Sequence, residues 1–87
     1  MREITVVIPA YNAAGYLPRC LESLLIQKRP IEIIVVNDGS TDETGRIAAE
    51  YAARHDNVIA VNQENAGSGM ARKAGLALVR TPYVGFV

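Results

Sequence analysis

Five of the six residues at positions 31–36, Ile31, Ile33, Ile34, Val35 and Val36, are β-branched, and no other stretch constrains the fold as strongly. Such a run suits a strand covered on both faces, as in the middle of a parallel sheet. Asn37, Asp38 and Gly39 end it with residues that accept tight turns and positive φ. Ser40 to Glu43 has the spacing of a capping box, with the Ser40 hydroxyl and the Glu43 carboxylate satisfying each other's amides at a helix start. The spacing therefore predicts Asp38 at the carboxyl end of a central strand, beside a helix N-terminus. Open α/β sheets bind ligands at such places.

The rest of the chain alternates around this unit. Residues 3–9, EITVVIP, form a β-branched run closed by a proline that cannot extend a ladder. A turn over residues 10–13 follows, with Asn12 as the expected N-cap of the first helix. Leu17, Cys20, Leu21, Leu24 and Leu25 mark one face of that helix, predicted over residues 16–27, and Pro18 is tolerated in its first turn. Lys28, Arg29 and Pro30 supply its stop. Thr44, Ile47, Ala48, Tyr51 and Ala52 give a second helical face, ending near His55. A short strand at 58–62 and a polar, glycine-rich loop at 63–69 come next. Met70, Ala74, Ala77 and Leu78 suggest a third helix to Arg80, with Met70 and Tyr51 expected in the core. Residues 83–87, YVGFV, read as a fourth strand.

The order βαβαβαβ with short connections predicts a three-layer, Rossmann-like open parallel sheet of the α/β class with right-handed crossovers. The expected strand order is 3-2-1-4. The switch point then lies between strands 1 and 4, which brings Tyr11 and Asn12 near Asp38.

Bulk properties narrow the function. A chain of 87 residues has room for one core. A net charge of zero, with scattered lysines and arginines, argues against nucleic acid or another polyanion as partner. The single cysteine, Cys20, allows no intrachain disulfide and no multi-cysteine metal site. No apolar run approaches ~20 residues, and no signal-peptide pattern follows Met1, so the expected location is cytoplasmic. The apolar YVGFV at a sheet edge is a pairing liability, which predicts self-association through that strand and a chain that continues in its parent.

Four blocks, VVIPAYNAAGYLPRCLESLLIQ, IEIIVVNDGSTDET, NQENAGSGMARKAG and TPYVGFV, cover nearly the whole chain. Together they resemble the nucleotide-sugar-dependent family 2 glycosyltransferases of GT-A fold. The resemblance implies that residues 1–87 are the nucleotide-sugar-binding half of such a domain. Pro9, Ala10, Tyr11 and Asn12 would open the nucleotide site, with the Tyr11 ring against a base. Asp38 would accept from the N3–H of uracil, where a carboxylate suits a donor. Gly67 would let the backbone pass close to the ligand, and Arg72 would touch the nucleotide. Lys73 departs from the asparagine usual at its position. The fourth block would lead into the Asp-x-Asp motif that holds Mg²⁺ or Mn²⁺, so the metal ligands and the catalytic base are expected outside this chain. The implied reaction is sugar transfer from a uridine-type donor to an acceptor hydroxyl with inversion, and residues 1–87 alone are expected to be inactive. The implied parent could work at the cytoplasmic face of a membrane.

Structural readings stand beside these. Asp38 could serve only as an Asx-turn residue. Asp42 is better explained as a carboxylate complementing a helix N-terminus. His55 has no partner cluster and no expected role. A dinucleotide-binding Rossmann unit fits poorly, since G-x-G-x-x-G is missing, and so does a Walker loop. A flavodoxin-like interaction domain without donor chemistry is the alternative.

Overall fold

The computed structural model describes residues 2–27 and 29–87, so the stop signal expected at Lys28 lies outside the described residues. Four strands and three helices alternate: β1 (Ile4–Ala10), α1 (Leu17–Leu25), β2 (Ile31–Asp38), α2 (Thr44–Arg54), β3 (Val58–Gln63), α3 (Ser68–Leu76) and β4 (Tyr83–Phe86). All pairings are parallel and the sheet order is β3-β2-β1-β4, as the sequence predicts.

The pleat of β2 explains its composition. Ile33 and Val35 point into a core shared with Leu17 and Leu21 of α1 and Ile47 and Ala48 of α2. Ile34 and Val36 point the other way, against Val7 and Ala71 of α3. All four β2 side chains are fully buried, which is why the run shows no polar alternation. Helices thus cover both faces of the sheet. Cys20 packs at the margin of the first core, and its burial pushes the thiol pKa up, as expected for a packing residue.

Three local expectations are corrected. The capping box does not form: α2 begins at Thr44, Glu43 bonds Arg46 at 2.6 Å, and Ser40 accepts instead from the Asn12 amide. Asp42 does the work at that helix start, accepting from the Thr44 amide at 2.9 Å. Asn12 is not an N-cap; Tyr16 stands at that position, while Asn12 holds a positive φ of 48°. Finally, α3 ends at Leu76, and its buried face consists of Ala71 and Gly75 with Ala74 beside them. Met70 and Leu78 are exposed. Small residues win that face because the helix lies so close to the sheet: a Cβ on Gly75 would overlap Val7 Cγ1 and approach Val36 Cγ2 to 3.2 Å. Tyr51 is half-buried against the α1–α2 core, with its hydroxyl donating to Glu22 at 2.7 Å.

Candidate functional site

The carboxyl ends of β1 and β2 and the first turn of α3 enclose a cleft of about 200 Å³. Its lining comes from β1, the loop after it, the end of β2 and α3, and includes no residue of β4. Pro9 and Ala10 end β1 and form one wall; Tyr11 and Tyr16 form another; Asp38, Ser68 and Ala71 complete it. The volume is below the ~300–1,000 Å³ of pockets that enclose a drug-sized ligand, so it suits one ring with the remainder of a ligand outside.

Asp38 is the most constrained of these residues. Its Oδ1 accepts from Gln63 Nε2 at 2.9 Å and from the Ala66 amide at 2.8 Å, and its Oδ2 accepts from the Gly67 amide at 2.9 Å. Its carbonyl accepts from Asn65 Nδ2 at 3.0 Å. The bond from Gln63 is the largest influence on its acidity, followed by that from Ala66; with the Gly67 bond they outweigh burial and hold the carboxyl below its usual pKa. The Asx-turn alternative is too small a role, because Asp38 ties β2 to the whole loop before α3. Oδ2 takes only one of these donors, and a carboxylate oxygen can take two. An ionised acceptor with spare capacity therefore borders the cleft.

Gly67 adopts φ 95°, which aims its amide at Asp38. Arg72, exposed on α3, donates to Ser68 Oγ at 3.3 Å, so its guanidinium lies against a hydroxyl of the cleft wall without lining the cleft itself. Tyr11 and Tyr16 are each about half exposed, at 52% and 55%. Asn12 points away from the cleft lining: its Oδ1 accepts from the Thr41 amide at 2.8 Å.

Sequence reasoning missed Tyr16, Ser68 and Ala71. The sequence reading starts the first helix at Tyr16, whereas Tyr16 precedes the first helical turn and lines the cleft. The usable signal for Ser68 was its place between two glycines at a helix start. Gln63 and Asn65 gave no signal, since only the fold brings them to Asp38.

Among the described residues, no group of three or more His, Cys, Asp or Glu side chains is placed to hold a metal ion. Both Asp38 oxygens face N–H donors, and both Asp42 oxygens accept from Thr44 or Ala14. This donor set does not fit Mg²⁺ or Mn²⁺.

The fold is an open parallel α/β sheet with a cleft at the carboxyl ends of β1 and β2. Residues 5–87 match the model of glycosyl transferase family 2, and the chain belongs to that family. It is 45% identical over 86 residues to the glycosyltransferase GlyA of Streptococcus pneumoniae, a match covering 98% of this chain and 12% of GlyA. The structure of Staphylococcus aureus TarS residues 1–349 superposes with a TM-score of 0.88 at 32% identity, over 98% of this chain and 26% of that one. TarS has also been solved with UDP and with UDP-GlcNAc. The mannosyltransferase PcManGT of Pyrobaculum calidifontis, solved with GDP-Man and Mn²⁺, superposes with a TM-score of 0.75 at 26% identity, over 92% of this chain and 25% of that one. The chain thus spans an eighth to a quarter of the length of these relatives.

Proposed function

We propose that residues 1–87 are the nucleotide-binding half of a glycosyltransferase domain and that the cleft takes the base of a uridine-diphosphate sugar. The observation that carries this reading is the ionised Asp38 carboxylate at the end of β2, with acceptor capacity left on Oδ2. Uracil offers an N–H donor at N3, and cytosine offers an acceptor at the equivalent nitrogen, so the carboxylate selects between them. Tyr11 lies against the ring; Pro9 and Ala10 supply the apolar wall; Gly67 holds the loop open through its backbone. Arg72 meets the nucleotide from the cleft rim. The UDP and UDP-GlcNAc complexes of TarS support a uridine donor.

In the longer protein the reaction would be transfer of the sugar to an acceptor hydroxyl with inversion. This chain's share is to bind and orient the donor. Any Mg²⁺ or Mn²⁺ that meets the diphosphate takes its ligands from outside these residues, as does the base that deprotonates the acceptor. No helix among the described residues is long and apolar enough to cross a membrane. A cytoplasmic location belongs to the proposal, with the parent working at the cytoplasmic face of a membrane.

Calorimetric titration with UDP, CDP and uridine tests the reading. UDP and uridine should bind, CDP should bind about tenfold more weakly or not at all, and Asp38→Ala should abolish the preference. Equal affinity for UDP and CDP would overturn the uracil assignment. We further propose that residues 1–87 bind without turnover; release of UDP from UDP-GlcNAc by this chain with Mn²⁺ would refute that.

A further inference from the structure

The segment leading into α2 and including its first residue, residues 40–44, neither forms the capping box its sequence suggests nor lines the cleft. Its side chains are spent on the preceding loop. Ser40 Oγ accepts from the Asn12 amide at 2.9 Å. The fully buried Thr44 hydroxyl accepts from the Ala13 amide at 2.7 Å and donates to Asp42 Oδ1. Asp42 Oδ2 accepts from the Ala14 amide at 3.2 Å. Three consecutive amides are thus held by three side chains of one five-residue segment. Asn12 returns the contact, its Oδ1 accepting from the Thr41 amide at 2.8 Å and the Thr41 hydroxyl at 3.3 Å.

This clasp sits between two aromatic side chains. Tyr11 precedes the first held amide, and the Tyr16 amide donates to the Ala13 carbonyl at 3.1 Å. Asn12 keeps φ 48°, a region that a non-glycine residue holds only when its surroundings over-determine it. Both rings are half exposed, and neither hydroxyl has a protein partner among the described hydrogen bonds. Their directions therefore follow from the backbone beneath them.

We propose that residues 40–44 are the positioning segment of the nucleotide site: Ser40, Asp42 and Thr44, with Asn12, fix the loop that aims Tyr11 and Tyr16 at the cleft. The proposal rests on the nucleotide reading and assigns Asn12 a positioning role, acting through Tyr11. It also gives Tyr16 a place as the second aromatic wall against the bound nucleoside. The acidity of Asp42 agrees: the Thr44 hydroxyl bond, the largest influence, keeps its carboxyl below the usual range and so ionised as an acceptor.

The test uses 3-fluorotyrosine incorporation, with the four tyrosines assigned by single Tyr→Phe substitutions. Ser40→Ala and Thr44→Val should shift or broaden the Tyr11 and Tyr16 fluorine resonances and leave Tyr51 and Tyr83 in place. UDP affinity should fall about tenfold in Thr44→Val, and Thr44→Ser should restore both readouts. In a Tyr11→Ala background the loss caused by Ser40→Ala should shrink, since Ser40 holds the amide directly after Tyr11 and that ring is then gone. Unmoved Tyr11 and Tyr16 resonances would overturn the proposal, as would a Ser40→Ala loss undiminished by Tyr11→Ala. Ser40 is only half-buried, so its variant carries the test if Thr44→Val does not fold. If the wild-type chain fails to bind UDP, the nucleotide reading falls, and the fluorine spectra alone decide whether the clasp sets the two rings.

Discussion

Gly67 donates its amide to Asp38 Oδ2 at 2.9 Å from a backbone held at φ 95°. The bond joins the end of β2 to the last residue before α3, so one carboxylate fixes both the cleft floor and the helix that walls it. A Cβ at Gly67 would meet nothing within 4 Å. Gly67→Ala should therefore cost about 1–3 kcal/mol through backbone strain alone, read as a lower midpoint in urea with an unchanged m-value.

The same carboxylate makes the loop pH-sensitive. Hydrogen bonds from Gln63, Ala66 and Gly67 lower the Asp38 pKa in the folded state. The stability this contributes is complete above the unfolded value near ~3.9 and is lost as pH falls through the lower folded value. Protection of the Ala66 and Gly67 amides against exchange, taken relative to the intrinsic rate at each pH, should fall in that acid window. In Asp38→Asn an amide group replaces one acceptor, so exchange there should already be fast at pH 7, and the acid dependence of stability should flatten. Unchanged exchange at pH 7 in that variant would count against the clamp.

Gly75 is where α3 comes closest to the sheet. Gly75→Ala must push the helix away from Val7 and Val36, and overpacking of this kind costs about 1–3 kcal/mol. Chemical denaturation measures that cost. An increase in stability, as helix propensity alone would give, would show that the helix can move freely.

On β4, Tyr83, Val84 and Phe86 are exposed at 67%, 40% and 46%, on a strand whose outer edge is unpaired in the sheet order. The 87-residue chain should self-associate through this edge. Sedimentation velocity should show a weight-average mass rising with concentration, and Val84→Lys should return the chain to a monomer. A concentration-independent monomer in the wild type would remove the idea.

The strand order, the two-sided burial of β2 and the position of Asp38 were legible because each follows from a strong local pattern. A β-branched run needs two covers, and Asn-Asp-Gly after it needs a turn. The α3 face was misread because periodicity was followed through Met70 and Leu78, whereas a close helix–sheet approach selects Ala71 and Gly75. The residues 40–44 satisfied a local rule, the capping box, yet their partners lie about 30 positions upstream. Spacing along one segment carries no information about such a partner. The Gln63 and Asn65 bonds to Asp38 were hidden for the same reason.

The small-residue face of α3 has a consequence beyond packing. Ala71 belongs both to the buried sheet-facing side of the helix and to the cleft wall, and Ser68 lies one turn before it. The separation between helix and sheet, set at Gly75, is therefore also the gauge of the cleft: one methyl group added deep in the core would widen the mouth of a site it never touches. The width of the cleft is set partly in the hydrophobic interior, by side chains that do not line it.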